Sequence, residues 1–292
     1  MKKFIALLLA MIMVMGLVAC GQTAADDEAP VGTDATATPE VEVEADADAE
    51  AEAESDLAYV QNNGVLVVGI TDFAPMDYRD ENGEWIGFDA DMARAFAESL
   101  GVEIEFVEID WDSKIMELDN KSIDCVWNGM TLTDEVMNAM ETTFPYSGNA
   151  QVVVVNADVA DQYATAEDCV DLTVAVESGS AGEAAAADNG FVNAIAVESQ
   201  AAALMEVASG TADACVIDLL MAAAMTGEGT DYADLVYTAE LNSEEYGVGF
   251  RNGSELAAML DDFFAAAYED GSMMVCAEKY GIGAQVEMVM AD

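Results

Sequence analysis

The residues best placed to do chemistry lie at 123–136, reading IDCVWNGMTLTDEV. A short β-prone run of Ile123, Cys125, Val126 and Trp127 leads to Gly129, then to Thr131, Thr133, Asp134 and Glu135 at the start of an expected helix. A run this short reads as a buried strand, the glycine as the point where the backbone turns, and Thr133 as the helix N-cap. Helix starts present unpaired N–H groups, and in open α/β sheets ligands gather beyond the carboxyl ends of strands. The expected chemistry is therefore non-covalent capture of a small polar solute. An ordinary strand-to-helix connection would use the same residues, so what surrounds them decides.

The chain contains no histidine, which removes Ser-His and Cys-His catalysis and every His-ligated metal centre. Carboxylates abound: 58 Asp and Glu stand against 8 Lys and Arg, and two of those bases are Lys2 and Lys3. So negative a surface repels phosphate backbones and anionic headgroups, which speaks against nucleic acid partners and electrostatic membrane binding. General acid-base chemistry by carboxylates is the catalytic route left open. No cofactor and no metal are expected.

The elements that must position these residues follow in order. A chain of 292 residues, 53% of them hydrophobic, has material for one or two cores. Residues 1–20 begin with Lys2 and Lys3, continue through an apolar stretch from Phe4 to Val18 and end in Ala19 and Cys20. This is a secretory signal peptide, too short in its apolar part to favour a membrane span. Residues 21–56 hold thirteen acids with no base and no aromatic. They cannot bury a core and are expected to form a disordered, self-repelling spacer. From Leu57 strand and helix signals alternate. Strands are expected at 65–70, 102–109 and 123–127, with a helix facing inward through Phe88, Met92, Phe96 and Leu100 and stopped at Gly101, and helical residues at 111–118. After a strand at 151–155 the pattern begins again: strands at 172–176, 194–197 and 214–217, and a helix at 201–208 stopped by Gly210. A strand at 248–250 precedes a helix capped by Ser254, facing inward through Leu256, Leu260, Phe263, Phe264 and Ala267, and ended by Gly271. Such alternation implies parallel sheets covered by helices, and two successive units without repetition imply two lobes. Cys125, Cys169, Cys215 and Cys276 sit in apolar surroundings without metal-ligand spacing and read as small core hydrophobes. Cys125 and Cys215 fall in different lobes and are not expected to pair; a disulfide elsewhere stays open.

In order along the chain, VVGITDFAPMDYRDENGEWIGFDADMARAFAESLGV, EIDWDSKIMELDNKSIDCVWNGMTLTDE, VAVESGSAGE, GTADACVID and EEYGVGFRNGSE resemble the polar-amino-acid solute-binding proteins of bacterial ABC importers, solute-binding protein family 3. The resemblance spans roughly 56–282, and GFDADMARAFAESLGV, NGMTLT and YGVGFRNGS are its most specific pieces. Leu17-Val18-Ala19-Cys20 resembles the bacterial lipobox, which implies lipidation at Cys20 and a protein anchored to the outer face of the cytoplasmic membrane. The resemblance implies a two-lobed periplasmic-binding-protein-like α/β fold, each lobe a sheet covered by helices, joined by a two-strand hinge. Lobe 1 would hold residues 57–150 and 245–292, and lobe 2 residues 151–244. Position by position, Phe73 matches the aromatic that lies against the ligand. Gly129, Met130 and Thr131, after Trp127, match the segment that holds the solute's carboxylate. Ser180 and Ala181 match the anion-holding turn of the second lobe. Asp218 matches the acid that pairs with the α-amino group, a charge-assisted contact that an ammonium favours.

Departures from the family pattern bear on the ligand. Where the family's T-x-T-x-E is followed by an arginine that clamps the α-carboxylate, TLTDE is followed by Val136. Glu177 stands where glutamine or a basic residue is usual at the start of the second-lobe turn, and Trp127 and Asn128 replace smaller residues. The pocket thus loses a cation and gains an acid, which opens the alternative of a cationic amine or modified amino acid unless Lys114 or Arg79 takes over. The function implied is a non-enzymatic receptor that delivers an amino acid or related polar solute to the transmembrane subunits of an ABC permease. A dehydratase-like enzyme using Glu135, Glu177 or Asp218, and a ligand-sensing ectodomain, are the competing classes.

Overall fold

The computed structural model describes residues 55–291. The signal peptide, Cys20 and residues 21–54 of the expected spacer lie outside the described residues. No described helix is long and apolar enough to cross a membrane.

The first sheet is formed by β1 (Val65–Ile70), β4 (Glu103–Glu108), β5 (Cys125–Thr131), β6 (Glu141–Thr142), β7 (Ser147–Asn149) and β13 (Glu244–Phe250), while β2 (Tyr78–Arg79) and β3 (Trp85–Ile86) make a separate hairpin. Its order is β4-β1-β5-β13-β6, with β7 also on β13. β1, β4 and β5 run parallel and β13 runs antiparallel to β5. The second sheet holds β8 (Gln151–Asn156), β9 (Thr173–Glu177), β10 (Asn193–Val197), β11 (Ala214–Asp218) and β12 (Leu235–Glu240) in the order β10-β9-β11-β8-β12. Here β9, β10 and β11 are parallel and β8 is antiparallel to β11. The chain passes between the sheets twice, from β7 to β8 through Ala150 and from β12 to β13. The two passages are tied together where Gln151 donates its N–H to Asn242 Oδ1 at 2.7 Å and accepts from Leu241 N–H at 2.8 Å.

Helices fill the connections: α1 (Asp56–Asn63), α2 (Phe88–Leu100), α3 (Lys114–Asp119), α4 (Asp134–Ala139), α5 (Ala166–Cys169), α6 (Ala181–Asp188), α7 (Gln200–Ser209), α8 (Leu219–Met225), α9 (Leu256–Glu269), α10 (Ser272–Lys279) and α11 (Gly283–Met290). In α2, Phe88, Met92, Phe96 and Leu100 repeat at helical spacing and are all buried, so the stripe read from the sequence is the face laid on the first sheet. Gly101 then adopts the left-handed conformation that ends the helix. Phe264 of α9 packs edge-on against Trp127 of β5 at 5.5 Å, closing the same core. The four cysteines of the body are free.

Several boundaries differ from expectation. The folded body starts before residue 57: Ser55 caps α1 by accepting from Ala58 N–H, and Asp56, 8% exposed, is bonded at 2.9 Å to the Arg251 guanidinium, which also reaches Asp124 at 3.0 Å. An acid in a buried ion pair belongs to the body whatever the composition around it. Gly129 does not end its strand either; β5 continues through it to Thr131. Ser254 lies one residue ahead of the α9 N-cap position, and Gly271 is the left-handed step from which α10 starts. Strand β13 begins at Glu244 rather than 248, because its first residues pair with β7.

Candidate functional site

A cavity of ≈ 230 Å³ opens between the two sheets, lined from both. From the first sheet come Asn128, Gly129, Met130 and Thr131 of β5, then Thr133, Asp134, Glu135 and Val136 at the start of α4. Thr133 is the N-cap, accepting from Val136 N–H at 3.2 Å, so this turn has the local structure that its sequence dictates. Phe73, Trp111 and Lys114 complete this side. The second sheet contributes Glu177 at the end of β9, Gly179, Ser180 and Ala181 leading into α6, Gln200 opening α7, and Asp218 at the end of β11. Both walls are therefore carboxyl ends of parallel strands, the position at which connections leave in opposite directions.

Much of the first wall is already engaged. Gly129 has φ 55°, and a Cβ there would stand 2.5 Å from the Phe73 ring, so only glycine fits. Its N–H donates to Asp89 Oδ2 at 2.7 Å, and Tyr146 OH donates to the same oxygen at 2.8 Å. Burial raises the Asp89 carboxyl to about 7 against the pull of these two donors. The Thr131 hydroxyl donates to Glu244 Oε1 at 2.9 Å, and the Asn128 amide donates to Thr71 Oγ1 at 2.7 Å while its oxygen accepts from Thr71 N–H. Val136, 4% exposed, puts an apolar side chain into the wall.

On the second wall Asp218 is 5% exposed and accepts from Asn149, Gln151 (3.0 Å), Gln200 and the Tyr246 hydroxyl (2.5 Å). Burial first, and then the nearby Glu244 and Glu177 charges, push its carboxyl well above the usual range despite those donors. Glu177 is 3% exposed and burial raises it to about 8, opposed chiefly by Lys114. Ser180 caps α6 by accepting from Glu183 N–H at 3.1 Å, leaving its own hydroxyl proton free to donate. Lys114, whose pKa burial lowers, donates from Nζ to the carbonyls of Trp111 at 3.2 Å and Gly179 at 3.0 Å. Gly179 has φ 68° and lies so close to Asp112 that a Cβ would sit 2.9 Å from its Cα. One ammonium thus bridges the two walls.

The structure brings Phe73, Gly129, Met130, Thr131, Glu177, Ser180, Ala181 and Asp218 to one cavity. It does not bring Trp127 there. Alternation along β5 turns Cys125 and Trp127 to the α2 side, where the indole packs on Phe96 and Phe264, while Val126 and Met130 face the opposite cluster. Arg79 is also elsewhere, stacked over Trp85 at 4.0 Å and 3.7 Å from Glu108. Trp111 and Gln200 were missed; Gln200 is the first residue of α7, directly behind the Ser199 N-cap that follows a parallel strand, and that cap is the kind of signal that marked Thr133. Among the described residues lining the cavity, Lys114 is the sole cation, against Asp134, Glu135, Glu177 and Asp218. No group of three or more described His, Cys, Asp or Glu residues is arranged to hold a metal ion.

Residues 66–283 match the family described as bacterial extracellular solute-binding proteins, family 3. The L-cystine-binding protein TcyJ of Escherichia coli (strain K12) is 29% identical over 231 residues, covering 78% of this chain and 86% of that protein. Among solved structures, a mutant of ArgBP from T. maritima superposes with a TM-score of 0.73 at 32% identity, covering 77% of this chain and 98% of the other. The ancestral amino acid-binding protein AncCDT-1, a precursor of cyclohexadienyl dehydratase, gives 0.70 at 34% identity, covering 77% and 99%.

Proposed function

Because the chain belongs to the bacterial extracellular solute-binding proteins of family 3, we propose that it is an exported receptor that captures an amino acid or related small polar solute in the inter-sheet cavity and hands it to the permease subunits of an ABC importer. The observation that carries this reading is a cavity walled by the carboxyl ends of parallel strands from both sheets and bridged by Lys114. The receptor performs no chemistry and is held at the membrane by a lipid on Cys20. Its lobes are residues 55–150 with 244–292, and 151–243, turning on the paired passages between the sheets. Phe73 packs against the solute, Ser180 and Ala181 offer donors, and Asp218 with Glu177 draws its positive end, while the Gly129 N–H and the Thr131 hydroxyl are already given to Asp89 and Glu244. Apolar Val136 and the acidic lining favour a solute of net positive charge, an amine or a basic or modified amino acid.

Thermal shift against a broad panel of amino acids, amines and short peptides tests this. A solute at about a hundred times its dissociation constant adds roughly 2.7 kcal/mol, several degrees in midpoint for a body of this size. No shift with any member of the panel defeats the receptor reading. A dehydratase-like enzyme is the second reading, favoured by the acid at about 8 that Glu177 supplies inside the cavity. Turnover of a bound solute, followed by mass spectrometry, would select it.

A further inference from the structure

Glu177 keeps one carboxylate oxygen without a partner in the cavity wall. It ends β9, lines the cavity, is 3% exposed, and its Oε1 is buried without a hydrogen-bond partner among the described residues. Buried carboxylate oxygens are ordinarily satisfied, and an unsatisfied one is costly. The two neighbours that favour its charged form, Lys114 and the Gln200 amide, are shared with other acceptors: Lys114 Nζ donates to the carbonyls of Trp111 and Gly179, and Gln200 Nε2 to Asp218, so Oε1 is left unserved. Asp218 presents the opposite case, with four side chains donating to it. The two acids end adjacent parallel strands of one sheet, so they stand side by side in one wall of the cavity.

Resting on the receptor reading above, we infer that Glu177 is a specificity-determining residue which accepts from a second, distal cationic group of the solute, so that the preferred solutes carry two positively charged groups, one at Asp218 and one at Glu177. A carboxyl lifted by burial against the pull of Lys114 and the Gln200 amide, beside Asp218 and with Glu135 across the cavity near Lys114, is protonated below about 8 and ionises when a cation arrives. Solute binding then releases a proton, and affinity rises with pH up to that value.

The test compares L-arginine with L-citrulline, which has nearly the same shape and lacks the distal charge, and adds agmatine, which keeps the guanidinium and lacks the carboxylate. Calorimetry on the wild type should show L-arginine or agmatine bound at least tenfold more tightly than L-citrulline, the low end of a charge-assisted hydrogen bond. That preference should collapse in Glu177→Gln and return in part in Glu177→Asp. The cationic probe should bind more tightly at pH 8 than at pH 6 in the wild type, with the dependence reduced in Glu177→Gln. Equal affinity for L-arginine and L-citrulline, or tight binding confined to neutral solutes, overturns the inference while leaving the receptor reading intact. Failure of every solute in the broader panel removes the receptor reading itself.

Discussion

Lowering the pH from 8 to 5 should stabilise the solute-free body. Burial holds Glu177 at about 8 and Asp89 at about 7, and it pushes Asp77 and Asp218 well above the usual carboxylate range. A carboxyl whose folded pKa exceeds its unfolded one makes the folded state the stronger proton binder. Its stabilisation is complete below the unfolded pKa and is lost as the pH climbs through the folded value. For Glu177 that window runs from 4.5 to about 8. Linkage over that window gives a loss of roughly 3 kcal/mol between pH 5 and pH 8 from this residue alone. At about 2–4 °C per kcal/mol for a body of this size, the midpoint should move by roughly 6–12 °C. Calorimetric melting of protein stripped of solute by unfolding and refolding, at constant ionic strength, measures it. Relief of repulsion among the many surface acids has the same sign, so Glu177→Gln isolates the buried contribution. That variant should match the wild type near pH 5, exceed it at pH 8, and show a correspondingly shallower slope. A wild-type midpoint that is flat or falls toward acid refutes the argument, as does a Glu177→Gln curve parallel to the wild type.

Val136→Arg places a guanidinium in the wall beside Met130 and Trp111 and should strengthen binding of L-alanine or L-glutamine about ten- to a hundredfold, unless Glu177 or Asp134 captures it, which calorimetry would show as no gain. Gly129→Ala forces a Cβ to 2.5 Å from the Phe73 ring at φ 55° and should cost at least about 1–3 kcal/mol of stability, together with solute affinity; a melting midpoint within a degree of the wild type contradicts this. Asp56→Ala leaves Arg251 with the Asp124 carboxylate and the Ile123 carbonyl and should cost roughly 1.5–3 kcal/mol, whereas removal of residues 21–54 should leave denaturant unfolding unchanged.

How much of this was legible in the sequence varies with the physics involved. The α2 stripe and its left-handed stop at Gly101 were readable because both are local: a 3.6-residue period and a conformation that glycine adopts without penalty. The Thr133 cap was readable for the same reason. Trp127 was misplaced because a short apolar run shows that a strand is buried on both faces without saying which face looks into a cavity. The engagement of Gly129 N–H by Asp89 and of the Thr131 hydroxyl by Glu244 spans 40 and 113 residues, and no local pattern encodes such partners. Composition drew the spacer's end at residue 56, yet Asp56 is held by Arg251, 195 residues away.

That last contact also decides what the start of the body is fastened to. Arg251 follows directly on β13 and donates besides to the carbonyl of Ile123, just before β5, so Asp56 knots the start of the body into the two central strands of the first sheet. A load applied at the start of the described body would therefore meet the first sheet before the second, which joins the first through the two passages and through the Lys114–Gly179, Tyr246–Asp218 and Asn149–Asp218 contacts.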